Sequence, residues 1–297
     1  MARLAYVNGR FVRHEEAAVH IEDRGYQFAD GVYEVVTILG GDFVDQPGHL
    51  ARLKRSLGEL RIAMPFSEAV LKLKMRELVR RNGVRDGYLY LQITRGVSPR
   101  DFKFPKAAKS AIVMTTRRQA FAPAMPNDAG VKVVSVPDIR WARRDIKSIG
   151  LLAQVLAKQA AAEAAAFEAW MVGPDGFVSE GASSNAWIVT KDGVLVTHQP
   201  DGSILHGITG NSLEALAREA GIKVERRPFT MEEAYQAREA FLTSATTFCI
   251  SITEIDGRPI ANGHPGELAR TLRKAYFDYG LNRQDRPIAW PNGAWRQ

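Results

Sequence analysis

The feature that most restricts the architecture of this chain is an interruption near its middle. Between Arg117 and Gly130 the sequence runs Ala120-Phe-Ala-Pro-Ala-Met-Pro-Asn-Asp-Ala-Gly, poor in charge and rich in Pro, Ala and Gly, a composition that ends packed elements and marks a domain boundary. It divides 297 residues into two pieces of domain size, and at 45% hydrophobic residues each can bury a core of its own. The sequence predicts a smaller N-terminal domain over 1–118, a linker over 119–130, a larger C-terminal domain over 131–280 and a loosely held extension over 281–297.

In the first piece, Leu4-Ala-Tyr-Val and Arg10-Phe-Val flank Asn8-Gly9, whose preference for a type I′ turn predicts a hairpin. Gly25, Asp30 and Gly31 mark a loop before a strand over 32–39. Tyr33 stands at that junction, either as a phenol reaching a ligand or as a half-buried strand tyrosine. Leu50, Leu53 and Leu57 share one face of a helix over 48–57. Arg52 borders that stripe: carried inward it needs an anion, for which phosphate is geometrically apt, and left outside it only lays its stem over the core. A helix over 66–82 and strands over 88–94 and 111–116 follow. The cationic loop 95–105 joins the two strands, and its Arg100 offers a fork for a carboxylate or pairs with Asp101.

In the second piece, Val131-Lys-Val-Val-Ser-Val136 alternates and is rich in β-branched residues, so a strand is predicted. Residues 148–167 are dense in Ala, Leu, Gln and Lys, with Leu151, Leu152, Val155 and Leu156 at helical spacing, so a helix is predicted. Lys147 falls between them. A lysine held there by packed elements can lose its solvation and be deprotonated, as a Schiff-base lysine requires; an ordinary surface lysine before a helix would not. Glu180 lies between apolar strand residues and the small polar cluster Ser183-Ser184-Asn185, where a carboxylate needs a cationic partner: a protonated ring nitrogen, or else a structural arginine or backbone amides. Gly207-Ile208-Thr209 precedes a helix over 213–219 and presents amides and a hydroxyl suited to phosphate, although Thr209 also reads as a plain helix cap. The turn Ser244-Ala245-Thr246-Thr247 is a second candidate for phosphate contacts.

Composition narrows the function. The net charge of +7 is spread among 33 acidic residues with no run of five basic ones, which suits acidic small molecules and disfavours nucleic acid. The single cysteine, Cys249, sits in an apolar run, allows no intrachain disulfide and fits a reducing cytoplasm. No stretch of ~18 apolar residues is present to predict a membrane span, and the six dispersed histidines form no metal motif.

Together, Asp23-Arg-Gly-Tyr-Gln-Phe-Ala-Asp-Gly-Val-Tyr33-Glu, Asp145-Ile-Lys147-Ser, Glu180-Gly-Ala-Ser-Ser-Asn185 and Leu205-His-Gly-Ile-Thr209 resemble the fold-type IV pyridoxal-phosphate enzymes, most closely the D-amino-acid transaminases, from about Tyr6 to about Tyr279. The resemblance implies a two-domain α/β (α+β) architecture with a small N-terminal domain and a larger pseudo-barrel. It implies pyridoxal 5'-phosphate on Lys147, which also shuttles the substrate proton, and Glu180 on the ring nitrogen. Arg52, Gly207, Ile208 and Thr209, with Ser244, Ala245 and Thr246, would hold the phosphate; Leu205 would pack on the ring and Ser183 support it. Tyr33 and Arg100 would bind the substrate carboxylate, Arg100 from the neighbouring subunit of a homodimer with its site at the interface.

The expected reaction moves the amino group of D-alanine or a similar D-amino acid to a 2-oxo acid such as 2-oxoglutarate. Two departures bear on it. Phe102 replaces a carboxylate-binding His common in the D-specific branch, which leaves an (R)-selective amine transaminase open. Ala245 replaces a phosphate-binding Thr, and Gly210 an Arg. Branched-chain L-amino-acid transaminase and aminodeoxychorismate lyase are the competing readings within the family. Val32-Tyr33-Glu34-Val35 and Ser98-Pro99-Arg100 resemble the D-specific branch better.

Overall fold

The computed structural model describes residues 3–282. It divides into two compact units, one made of the chain up to Phe121 with Ile146–Leu151, the other of Ala122–Asp145 with the chain from Leu152 onward.

The first unit contains β1 (Leu4–Val7), β2 (Arg10–Arg13), α1 (Arg24–Phe28), β3 (Gly31–Leu39), β4 (Asp42–Phe43), α2 (Gln46–Glu59), α3 (Glu68–Asn82), β5 (Gly87–Thr94) and β6 (Ala111–Arg118). Its strands form an antiparallel sheet in the order β2-β1-β6-β5-β3-β4. The leucines read as one face of α2 are buried, and with Leu71, Met75 and Leu78 of α3 they pack on Val36, Leu89, Leu91 and Met114 of the sheet. The loop expected before β3 contains the short helix α1, whose Asp23 cap accepts the Gly25 amide at 2.8 Å.

The second unit contains β7 (Val131–Pro137), α4 (Leu152–Glu163), β8 (Glu168–Val172), β9 (Val178–Gly181), β10 (Asn185–Val189), β11 (Leu195–Thr197), α5 (Ile208–Glu219), β12 (Val224–Arg226), α6 (Met231–Tyr235), β13 (Glu239–Ser244), β14 (Phe248–Ile255), β15 (Arg258–Pro259) and α7 (Glu267–Leu281). The strand order is β12-β11-β10-β13-β14-β7-β8-β9, with β15 on β14. Pairs β14–β7, β7–β8 and β11–β12 are parallel, and α4 is the crossover between β7 and β8. The order itself requires a curled sheet. Five inter-strand steps separate β10 from β9, ~24 Å if the sheet were flat, yet only Ala182, Ser183 and Ser184 join them, a reach of ~14 Å.

Three expectations are corrected. The segment 146–151 belongs with the first unit rather than with the larger domain, because the Tyr33 amide donates to the Lys147 carbonyl (3.0 Å) and the Ile149 amide to the Gly31 carbonyl (3.1 Å). The same bonds keep 147–149 extended, so the helix begins at Leu152 instead of 148 and ends at Glu163. The leucine face of that helix is not its buried face: Leu152, Val155 and Leu156 are exposed, while Ala157 and Ala161 pack on Ala169 and Met171. Alanines there let the helix axis approach the strands closely, which leucines would prevent. The extension over 281–297 lies, after Asn282, outside the described residues.

Candidate active site

In the first unit Lys147 stands on an extended segment laid along the start of β3. Two bonds fix its backbone, the one from the Tyr33 amide to its carbonyl and one from its own amide to Ser56 Oγ at 3.4 Å, and the Ile149–Gly31 bond holds the segment two residues on. Its Nζ lies 4.3 Å from the centre of the Tyr33 ring. Tyr33 in turn stacks on Tyr90 with centroids 5.7 Å apart. The structure therefore brings Tyr33 and Lys147 together, one on β3 and the other paired to it.

Arg52 is carried inward, 3% exposed, and has the anion that such burial requires. That anion is Glu34, the residue after Tyr33, and the sequence reading missed it. Arg52 donates through Nε and Nη2 to the two Glu34 oxygens at 2.8 Å each, and His49 Nδ1 donates at 2.7 Å. His49 and Arg52 are three residues apart on α2, so both face β3. Burial by itself raises the Glu34 carboxyl, but the Arg52 charge and fork, with His49, outweigh it and hold the group at about 2. The signal was in the sequence: Glu34 is the one charge in the apolar run Val32-Tyr33-Glu34-Val35-Val36.

Arg100 and Phe102 lie elsewhere in this unit, on the exposed loop between β5 and β6. The Arg100 guanidinium covers the Phe28 ring at 4.6 Å and the Phe102 ring at 5.8 Å, and Phe102 is 82% exposed. The alternative pairing with Asp101 is not formed among the described residues; Asp101 accepts the Lys103 amide instead.

In the second unit Glu180 is buried on β9 and accepts from Arg140 Nη1, from the Leu205 amide at 2.9 Å and from Asn185 Nδ2 at 3.0 Å. These are the structural arginine and backbone amide weighed in the sequence, joined by an amide side chain. Asn185 Nδ2 also donates to the Leu205 carbonyl at 2.9 Å, so Leu205 is tied to the Glu180–Asn185 pair from both sides of its backbone. Arg140 is shared with Asp138. Burial alone would raise Asp138 and lower Arg140; their pairing reverses both, helped at Asp138 by Ser179 and at Arg140 by Glu180.

Ser183 sits in the tight turn after β9. Its amide (3.2 Å) and Oγ (2.8 Å) both donate to Glu168, which also accepts Ser184 Oγ at 3.1 Å. Arg140, Asn185 and Glu168 were not singled out in the sequence. Asn185 alone could have been, since it stands inside the Glu180–Asn185 motif.

Helix α5 begins at Ile208, five residues earlier than expected, with Gly207 as its N-cap and no side-chain cap bond. Thr209 is therefore not the cap. Its Oγ1 is buried and without a hydrogen-bond partner among the described residues, an orphan donor in the first turn of a helix whose opening amides are also unpaired by the helix. A Cβ on Gly207 would come within 1.7 Å of Asn185 Oδ1, so only glycine lets the helix start this close to Glu180's partner. A Cβ on Gly210 would meet Trp187 at 3.2 Å and Thr243 Oγ1 at 3.3 Å, so any side chain there requires these neighbours to give by a few tenths of an ångström. Gly210 thus lays the start of α5 against the end of β13, which closes with Ser244 and runs into the turn carrying Ala245 and Thr246; Ser244 Oγ meets Thr247 Oγ1 at 2.7 Å and Thr246 Oγ1 at 3.4 Å. The orphan hydroxyl, the helix amides and the hydroxyl turn form a donor set that fits a phosphate, and Glu180 is an acceptor that fits a protonated ring.

The profile of the amino-transferase class IV family matches residues 31–255. The D-alanine aminotransferase of Bacillus licheniformis is 43% identical over 268 residues, covering 90% of this chain and 94% of that protein. The D-alanine aminotransferase of Listeria monocytogenes serotype 4b is 38% identical, with 92% and 94% covered. Among solved structures, the branched-chain amino acid aminotransferase of Thermoproteus uzoniensis with norvaline superposes with a TM-score of 0.83 at 25% identity, covering 96% of this chain and 97% of that one. The Escherichia coli branched-chain amino acid aminotransferase has the same fold, with a TM-score of 0.89, 23% identity and 98% of each chain covered.

Proposed function

We propose an activity for this chain from one premise: it belongs to the amino-transferase class IV family. It is a pyridoxal-phosphate-dependent D-amino-acid transaminase that carries the amino group of D-alanine or a similar D-amino acid to a 2-oxo acid such as 2-oxoglutarate, in two half-reactions. The observation that carries this reading is the placement of Lys147, its backbone pinned to β3 and its amine over the Tyr33 ring. The D-specific assignment is supported by the higher identity to the two D-alanine aminotransferases than to the branched-chain structures.

When bound, pyridoxal phosphate supplies an electron-accepting ring that lets the substrate α-carbon release its proton. The chain's own groups do the rest. Lys147 Nζ would hold the cofactor and then move that proton off and back. Glu180, oriented by Arg140, Asn185 and the Leu205 amide, would keep the ring nitrogen protonated. The amides of Ile208 and Thr209, the Thr209 hydroxyl, the Ser244–Thr246 turn and Arg52 would bind the phosphate, with Gly207 keeping the helix start close. Leu205 would pack on the ring, on the turn side braced by Ser183. Tyr33 would meet the substrate carboxylate.

Arg100 would serve the site of a neighbouring copy in a homodimer, with Phe102 beside it. The exposed Leu152, Val155 and Leu156 of α4 support such an assembly, since an apolar stripe of this kind usually finds a partner surface. No helix among the described residues is long and apolar enough to cross a membrane. With Cys249 buried and unbridged, the cytoplasm is the compartment we assign.

The test is a half-reaction on purified protein. The visible absorbance of the bound cofactor is followed as D-alanine, L-alanine, L-leucine and (R)-1-phenylethylamine are added separately. Bleaching by D-alanine alone upholds the reading. Bleaching by L-leucine would move the chain to the branched-chain group, and a strong response to the amine would make Phe102 the mark of a relaxed carboxylate site.

A further inference from the structure

The second unit holds a pocket that the aminotransfer reading leaves without a role. It has a volume of about 420 Å³ and is walled largely by Pro123, Ala124, Met125, Pro265 and Ala269, with Arg273 of α7 lining it as well. Arg273 is only 7% exposed. Its Nη1 donates to the carbonyls of Thr247 (2.7 Å) and Cys249 (2.8 Å), while Nε has no hydrogen-bond partner and no carboxylate pairs with the guanidinium among the described residues.

A buried cation facing two carbonyl dipoles and, at 5.7 Å, the Phe248 ring is an expensive arrangement, because partial charges do not balance a full one. Burial indeed pulls the Arg273 guanidinium below its ordinary value. Among the described residues, the groups around it supply no counter-ion. Cys249 is pushed far up by burial and stays a neutral thiol. Asp128, the acid on the pocket wall, is engaged by Arg270, and Lys274 by Asp278. The buried Glu239 accepts the Leu268 and Ala269 amides at the start of α7. The charge without a carboxylate is on Arg273.

We infer that this pocket is a binding site for a monocarboxylate with an apolar or aryl tail, its carboxylate held by the charge of the Arg273 guanidinium that lines it. With Nη1 spent on the two carbonyls, the rest of the guanidinium keeps a full positive charge that a carboxylate balances. A single guanidinium suits one negative charge rather than the two of a phosphate monoester. The apolar walls take the tail, and the volume lies in the range of small-molecule sites. The site is independent of the transaminase assignment.

The test is calorimetric titration of the full-length, cofactor-loaded protein with 4-phenylbutyrate and with 4-phenylbutan-1-ol. Wild type is compared with Arg273→Met and with Ala124→Trp, which fills the pocket from an exposed wall position. The expected result is saturable binding of the acid to wild type, at least tenfold tighter than the alcohol, and weakened at least tenfold in both variants. Turnover of D-alanine by Ala124→Trp should remain at the wild-type rate. Equal affinity of the acid for wild type and Ala124→Trp would place its binding elsewhere and overturn the site. So would equal affinity of acid and alcohol, or no binding at millimolar acid. Should Arg273→Met fail to fold, the Ala124→Trp comparison and the alcohol decide the matter alone.

Discussion

Replacing Glu34 by Gln is the perturbation whose size the structure fixes best. The side chain keeps its shape and loses its charge, leaving Arg52 buried with no full counter-charge on β3. Two routes give the magnitude. The carboxyl sits at about 2 in the folded chain against 4.5 for the unperturbed group. A depressed carboxyl contributes stability that is complete above its unfolded value and is lost as the pH falls towards the folded one. At about 1.4 kcal/mol per pH unit, Glu34 thus contributes about 3 kcal/mol at pH 7. Independently, removing one partner from a buried ion pair costs about 3–5 kcal/mol. At about 2–4 °C per kcal/mol for a unit of this size, the Gln variant should melt roughly 10 °C lower at pH 7. Circular dichroism melts of both proteins from pH 7 to pH 3 check this, since the gap should narrow by roughly half over the acid end as wild type loses its Glu34 contribution. A melting point unchanged at pH 7, or a gap that stays constant down to pH 3, would refute the pairing as the source of stability.

Other outcomes follow from the proposed site. Lys147→Ala should abolish both turnover and the visible absorbance of the bound cofactor; retention of both would remove the lysine from the reaction. Arg100→Ala should raise the Michaelis constants for amino and oxo acids much more than that for a simple amine, and an equal rise for both classes would refute a carboxylate role. Thr209→Val deletes the orphan hydroxyl at constant shape. A hydrogen bond to a charged group is worth about 1.5–3 kcal/mol, so the dissociation constant for pyridoxal phosphate should rise by about tenfold or more with little change in melting point. An unchanged constant would mean that no phosphate oxygen reaches it. Gly207→Ala forces Asn185 away from its place between Glu180 and Leu205. It should cost about 1–3 kcal/mol of stability and weaken the cofactor together with it, both read from melts with and without pyridoxal phosphate. An undisturbed protein would show that the helix start can move.

Local chemistry was legible wherever it is decided locally. The Asn8-Gly9 hairpin, the alternating strands and the leucine stripe of α2 could be read because turn preference and periodicity act over a few residues. The Lys147 segment could not be read this way. Its extended form is set by bonds to Gly31 and Tyr33, far away in the chain, and the one local signal against a helix there, Gly150, does not announce them. The apolar face of α4 misled for a related reason: hydrophobicity records what a side chain avoids, not which neighbour is present, and the close packing on β8 selects the small Ala157 and Ala161 instead.

The charged residues follow a sharper rule. Arg52 among the leucines of α2 and Glu34 among the valines of β3 are each costly alone, and each is the other's solution. The same holds in the second unit, where Glu180 on a fully buried strand is met by Arg140, itself held by Asp138. In the sequence both carboxylates demanded a cation, but only Glu180 was credited with one, because its motif directed attention to a ring nitrogen. A lone charge inside an apolar element calls for a partner of opposite sign before it calls for a ligand. Those partners are what fix Arg52 and Glu180 in orientation, so their removal should disturb cofactor binding even though they need not touch the cofactor.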